Sequence, residues 1–149
     1  MSKTVEIEIE GLKALGKRFG DLTPDIAKKV KRAINLGAYA VERTAIKSIK
    51  SRSGGRRYRH KGKTHIASRP HKPPNARDGH LDKNIIVTTG QGIITKGYFA
   101  LVRSRAKYSK SLEYGTKRMA PRPFMRKALQ ANIKSIVKNI NDAKREALR

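Results

Sequence analysis

Pro24-Asp25-Ile26-Ala27-Lys28-Lys29-Val30-Lys31-Arg32-Ala33-Ile34-Asn35-Leu36-Gly37-Ala38-Tyr39-Ala40-Val41-Glu42-Arg43-Thr44-Ala45-Ile46-Lys47-Ser48-Ile49-Lys50 is the stretch around which this chain is organised. Thr23 is a good N-cap, Pro24 suits the first helical position, and Asp25 puts an acid at the positive end of the helix dipole. Ile26, Val30, Ala33, Ile34, Gly37, Ala38, Val41, Ala45 and Ile49 recur at helical spacing. Lys28, Lys29, Lys31, Arg32, Glu42, Arg43 and Lys47 fall mostly between them. The pattern predicts one amphipathic helix from about 24 to 50, ended by Ser51 to Gly55. Its apolar stripe is rich in Ala and Gly, so another element can approach its backbone closely.

Upstream, Val5, Ile7 and Ile9 alternate with Glu6, Glu8 and Glu10, the period of a half-buried strand. Gly11 ends it, and Leu12, Leu15 and Phe19 fit a short helix stopping near Gly20. Downstream, Ile85 to Thr89 reads as a strand, Gly90-Gln91-Gly92 as a turn, and Ile93 to Val102 as the returning strand. Tyr108 to Tyr114 reads as a third strand closed by Gly115. Arg122-Pro123-Phe124 opens a last helix with the stripe Met125, Leu129, Ile133, Ile136, Val137, Ile140 and Ala143 or Ala147. Lys144, Arg145 and Arg149 complement the negative end of its dipole. These elements predict one α+β domain over 1–149: a small antiparallel sheet packed on one face by two long helices. There is no internal repeat.

Residues 52–78 have no period. Arg52, Arg56, Arg57, Arg59, Lys61, Lys63, Arg69, Lys72 and Arg77 are punctuated by Pro70, Pro73 and Pro74. Such a composition buries too little apolar surface to offset chain entropy, so 51–80 reads as a long basic loop, mobile when free. Loops of this length in a compact domain are usually functional or disordered.

The charge is extreme. Over 149 residues there are 36 Lys and Arg against 11 Asp and Glu, a net charge of +25. Charged residues are 32% of the chain, above the ~25% of an ordinary domain. Residues 51–80 carry nine basic side chains against Asp78 alone. So basic a chain is suited to an acidic partner: nucleic acid, a membrane surface or an acidic protein. No apolar run approaches the ~18 residues of a spanning helix, and the N-terminus has no hydrophobic signal core. The absence of Cys removes disulfides, thiol nucleophiles and the commonest zinc sites.

Nothing in the residues assembles a reaction centre. After residue 50 the only acids are Asp78, Asp82, Glu113, Asp142 and Glu146, too scattered for paired-carboxylate or metal-assisted chemistry. Glu113, between Leu112 and Tyr114, reads as a partly buried carboxylate in a structural pair with Arg or Lys. His60, His65, His71 and His80 stand at spacings that match no helix-face ligand pair, so they read as solvated side chains and no metal or cofactor is expected. The strongest functional signal is Arg56-Arg57-Tyr58-Arg59-His60-Lys61, where cations interleaved with an aromatic suit phosphate contacts and stacking on a base. Docking on an acidic protein ring and a merely solvated charge run remain open beside it.

Three stretches resemble the neck or tail-completion proteins of long-tailed double-stranded DNA bacteriophages, the gene-product-ten-like family. The first is Tyr108, Leu112-Glu113-Tyr114-Gly115-Thr116, then Met119-Ala120-Pro121-Arg122-Pro123-Phe124-Met125-Arg126-Lys127-Ala128-Leu129, with Lys127 where a second Pro is frequent. The second is Pro70-His71-Lys72-Pro73-Pro74 leading to Asp78-Gly79-His80-Leu81-Asp82-Lys83-Asn84-Ile85, with His71, Asp78 and Asn84 in place of Gly, Thr and Ser. The third is Gly11-Leu12-Lys13-Ala14-Leu15.

The resemblance implies a structural virion protein of the head–tail junction, not an enzyme. It implies a homo-oligomeric ring, of six or twelve copies, between head-completion or adaptor proteins and tail-terminator or tail-tube proteins. Such a ring lets DNA pass, is made in the host cytoplasm and contacts no membrane. Gly79, Leu81, Glu113, Tyr114, Gly115, Thr116, Arg122, Pro123, Phe124 and Leu129 would then be architectural. Arg52, Arg56, Arg57, Tyr58, Arg59, Lys61, Lys63, Arg69, Lys72 and Arg77 would meet a partner or packaged DNA. The alternative from charge alone is a stand-alone nucleic-acid-binding protein, ribosomal or nucleoid-like.

Overall fold

The long apolar stripe folds as its spacing dictates. In a computed structural model, which describes residues 5–7, 24–60, 62–91 and 97–146, helix α1 runs Pro24–Lys50 and buries all nine stripe residues. Asp25 in its first turn pairs with Lys29 one turn on, at 3.4 Å. The expected helix around Leu12–Phe19 and the Ile9 end of the first strand lie outside the described residues.

One side of α1 lies on a three-stranded antiparallel sheet. Its strands are β1 (Val5–Ile7), β4 (Ile85–Gln91) and β5 (Tyr98–Ser104), with β5 in the centre. Ile85 stands opposite Ser104 and Val87 opposite Val102. Ile85, Ala100, Val102 and Ser104 are buried, and strand alternation puts them on one face. Tyr98 ties sheet to helix: its hydroxyl donates to Asn35 Oδ1 (2.8 Å), and the Lys31 ammonium lies 5.4 Å from its ring centre.

Gly90 and Gln91, expected in the turn, belong to β4 and pair with Phe99 and Tyr98; Gly92 and the Ile93 end of the expected returning strand lie outside the described residues. A Cβ on Gly90 would sit 3.3 Å from the exposed Phe99 ring, so a larger residue there would push that ring aside by a few tenths of an ångström. A turn glycine and a glycine cleared for a cross-strand aromatic look alike in sequence.

Helix α4, Met125–Glu146, packs antiparallel along α1. A Cβ on Gly37 would lie 3.0 Å from Ile136 Cγ1, so the missing side chain sets how closely the two backbones approach. Asn132 Nδ2 donates to Thr44 Oγ1 at 2.9 Å farther along the seam. Because α4 packs on α1 and not down onto the sheet, its seam is narrow. Met125, Ala128, Ile136 and Ile140 are buried, whereas Ile133 and Val137, expected inside, are 43% and 52% exposed.

Two further expectations fail. Residues Ser109–Tyr114 are a helix, α3, and not a third strand. Its buried positions one turn apart are the polar Ser109 and Glu113, so no apolar stripe advertises it. The basic segment is not structureless: β2 (Arg57–His60) and β3 (Lys63–Ile66) form an antiparallel hairpin, and His80–Lys83 form the short helix α2. Of its described side chains only His65 and Ile66 are even half-buried, so its strands carry no hydrophobic alternation; the backbone ladder sets the pairing.

Candidate functional site

The hairpin pairs Arg57 with Ile66 through to His60 with Lys63, and Gly62 just before β3 stands at φ +76°. Lys61 itself lies outside the described residues. The strand period puts Arg57 and Arg59 on one face and Tyr58 on the other. The Arg56 guanidinium lies 5.5 Å from the Tyr58 ring centre, so Tyr58 already has a cation stacked against it. Arg52, Arg56, Arg57, Tyr58, Arg59, Lys63, Arg69, Lys72 and Arg77 are all exposed.

The hairpin root is held by Asn75. Its Oδ1 accepts from Ser53 N (2.9 Å) and its Nδ2 donates to Ser53 O and Ile66 O (both 2.8 Å). The ladder continues past the strands, with Ala67 N donating to Arg56 O at 2.9 Å. Ala76 N donates to Ile49 O, fastening the proline-rich segment to the end of α1. On the other side His71 N donates to Pro121 O (2.8 Å), the Lys127 ammonium to His71 O, and Arg122 Nε to Ser68 O (3.2 Å). The basic segment is thus stapled to the body at both ends.

This network brings three of the expected partner-binding residues together. Arg52, Arg57 and Arg77 line one hollow of about 170 Å³ with Thr64, His65 and Asn75. Arg56 and Tyr58 pair beside it, while Arg69 and Lys72 lie on the proline-rich turn. A larger cleft of about 310 Å³ lies near β3, walled by Pro74, Leu81, Tyr108, Leu112 and Arg122. Burial raises the Tyr108 phenol above its ordinary pKa, with the Asp78 and Asp82 carboxylates adding to the effect. Asp78, which accepts from His80 N at 3.1 Å, is lowered chiefly by that bond. Among the described residues, no three His, Asp or Glu side chains converge on a metal-sized space.

Replacing Asn75 with alanine removes three bonds shorter than 3 Å at one point and leaves backbone groups of Ser53 and Ile66 unpaired. At about 1 kcal/mol net per bond, partly offset by water at this half-buried position, the cost is about 2 kcal/mol. It falls on the hairpin: amides of 57–66 should lose hydrogen-exchange protection while those of α1 keep theirs. Unchanged protection at the hairpin would show that the clamp is not what holds it.

Glu113 is fully buried, and its Oε2 accepts from Phe124 N (2.9 Å) and Met125 N (3.1 Å) while Oε1 accepts from Arg126 N (3.0 Å). These are free amides at the start of α4, so Glu113 caps that helix from a distance. The expected cation partner is present, but Arg126 Nε is 4.0 Å away on an exposed side chain; the backbone supplies the close hydrogen bonds. Tyr114 is exposed, with the Arg126 guanidinium 5.9 Å from its ring centre. Gly115 ends α3 at φ +79°, and Thr116 pairs with Met119 in the turn that follows. Pro123, Phe124 and Met125 are buried, and Leu129 packs half-buried against the core. Gly79 stands at φ +76° before α2, in which Leu81 is buried. Asn75 is invisible in the sequence, where one Asn in a proline-rich run is indistinguishable from a turn residue.

A family model described as "Bacteriophage HK97-gp10, putative tail-component" matches residues 13–115. The matched span holds the proline-rich segment, α2 and the Leu112-to-Gly115 part of the motif; the Arg122-Pro123-Phe124 opening of α4 lies beyond it. No curated protein and no solved structure matches the chain.

Proposed function

The chain belongs to the HK97-gp10-like family of phage tail components, and from that membership we propose that it is a subunit of the ring joining the DNA-filled head to the tail. Family membership carries the reading, with a structural role in the virion as its coarser content. The placement of the motif residues supports it: Glu113 caps a helix, Phe124 fills the core and Arg122 staples the basic segment. None of these groups is left for chemistry. In this reading the protein is no enzyme and needs no cofactor.

Copies, six or twelve to a ring, meet through two different faces whose rotation closes, leaving a passage for the genome. Head-completion or adaptor proteins lie on one side and tail-terminator or tail-tube proteins on the other. The clamped basic hairpin projects from the subunit as the arm that meets an acidic neighbour or the packaged DNA.

The test replaces residues 57–66 with Gly-Gly, which joins Arg56 to Ala67 through a short link and spares most of the Asn75 clamp. The expected result is a folded chain that enters particles but joins heads to tails at least tenfold less often in an in vitro joining assay. Normal joining by this variant, or absence of the unaltered chain from purified particles, overturns the proposal.

A further inference from the structure

We propose that the hollow formed by Arg52, Arg57 and Arg77 is a seat for backbone phosphates of duplex DNA. This rests on the reading of the hairpin as the partner-contacting arm and names DNA as the partner. The three guanidinia come from three separate pieces of chain: the residue pair after α1, strand β2, and the segment after the Asn75 clamp. The clamp and the Ala76–Ile49 bond fix the backbone on which Arg77 is carried.

Asp78, next in the chain, feels the charge of Arg77, which helps to lower its pKa, but no close ion pair among the described residues neutralises the three arginines. Among the described residues the ion pairs are Lys29–Asp25, Lys50–Asp82 and Arg126–Glu113, and none includes these arginines. From Ser51 to Arg77 there is no acidic residue at all. Asp78 accepts the His80 amide and lines the neighbouring cleft, which Arg77 also borders, but it does not line this hollow. Three arginines that border one hollow bring positive charge to it from three separate parts of the chain, which favours an oxyanion there. Guanidinium forks match the oxygens of phosphate bidentately, and Thr64 adds an uncharged hydroxyl to the lining.

DNA fits this surface better than an acidic protein does. The apolar lining of the hollow is only Ile66 and Ala76, whereas a protein interface is built round a buried apolar or aromatic core. Protein–DNA interfaces are polar and strongly positive. A two-stranded ribbon is also a form that proteins lay against the duplex, and Arg57 and Arg59 point from one side of this ribbon. Three guanidinia give a grip that is weak and salt-labile, compatible with a genome that must move past.

The experiment measures binding of the full chain to a fluorescein-labelled 20-base-pair duplex by anisotropy across a salt series. The variant Arg52→Gln/Arg57→Gln/Arg77→Gln is compared with Lys134→Gln/Lys138→Gln/Arg145→Gln, which removes the same charge from exposed positions on α4. With the three phosphate-binding guanidinia removed, the log–log salt slope should fall by about 2–3 in the arginine variant, and affinity near physiological salt should drop at least tenfold. The helix variant should change the slope by less than about 1. If the arginine triple unfolds, as circular dichroism would reveal, Arg52→Gln and Arg77→Gln alone should each lower the slope by about 0.9.

Equal losses in the two triples would mean diffuse charge and overturn the site. So would no binding by the unaltered chain, or an arginine variant that keeps DNA but loses poly-glutamate, which would assign the hollow to an acidic protein. Mass spectrometry of purified particles tests the virion role separately, so a failed DNA result leaves that reading standing or falling on its own.

Discussion

Glu113→Ala should lower the stability of the fold by about 4 kcal/mol. The carboxylate is fully buried and receives three backbone amides at the start of α4. Hydrogen bonds to a charged group contribute ~1.5–3 kcal/mol each, and an ordinary helix cap ~1 kcal/mol. Three bonds to one group are not additive, so about 4 kcal/mol is the combined figure, including the void left by the shortened side chain. For a chain of this length that is a fall in melting temperature of about 10 °C. Glu113→Gln should recover part of the loss, because its amide oxygen still accepts while its NH2 faces an amide donor. Urea denaturation checks both. A loss under about 1 kcal/mol for the alanine variant would mean that water caps α4 as well as Glu113 does. The effect should reach the basic segment, since Arg122 and Pro121 just before α4 hold Ser68 and His71.

Gly55→Ala is expected to open the root of the hairpin. A Cβ there would lie 1.9 Å from the carbonyl oxygen of Ala67 and about 3 Å from two further backbone carbons. Backbone cannot swing aside as a side-chain tip can, so the strand roots must separate. That breaks the Ala67–Arg56 bond and strains the Asn75 clamp. The cost is capped by local opening, about 3 kcal/mol for the three or four bonds at the root. Hydrogen exchange should show protection lost across 57–66 and retained in α1 and α4. With Arg57 displaced from Arg52 and Arg77, affinity for the labelled duplex should fall as in the arginine triple, although no charge has been removed. Full protection in 57–66 would show that the backbone accommodates the methyl without opening.

How readable each element is in the sequence follows from what holds it. Helix α1 is legible residue by residue because one long side of it is buried against the sheet and α4, and burial writes a period into the sequence. Helix α4 is legible in extent but not in face: it packs on one neighbour, so Ile133 and Val137 are apolar without being inside. Helix α3 reads as a strand because the two groups it buries, Ser109 and Glu113, are polar. The basic hairpin escapes notice for the opposite reason, since it buries almost nothing. Charge identifies the arginines of the basic segment, but that Arg52, Arg57 and Arg77 share one hollow and Arg69 and Lys72 do not depends on a clamp made by a single amide.

The α+β class, the long helix with its nine inward residues, the concentration of positive charge in 51–80 and the family are all legible in the order of residues. These are written locally, in spacing, composition and short motifs. That the basic segment is a clamped hairpin, that Glu113 serves as the distant cap of α4, and which arginines border one hollow emerge from the folded chain alone. Each of those depends on atoms brought within about 3 Å from positions roughly ten to sixty residues apart, and a hydrogen bond across such a separation imposes no period on the chain that forms it.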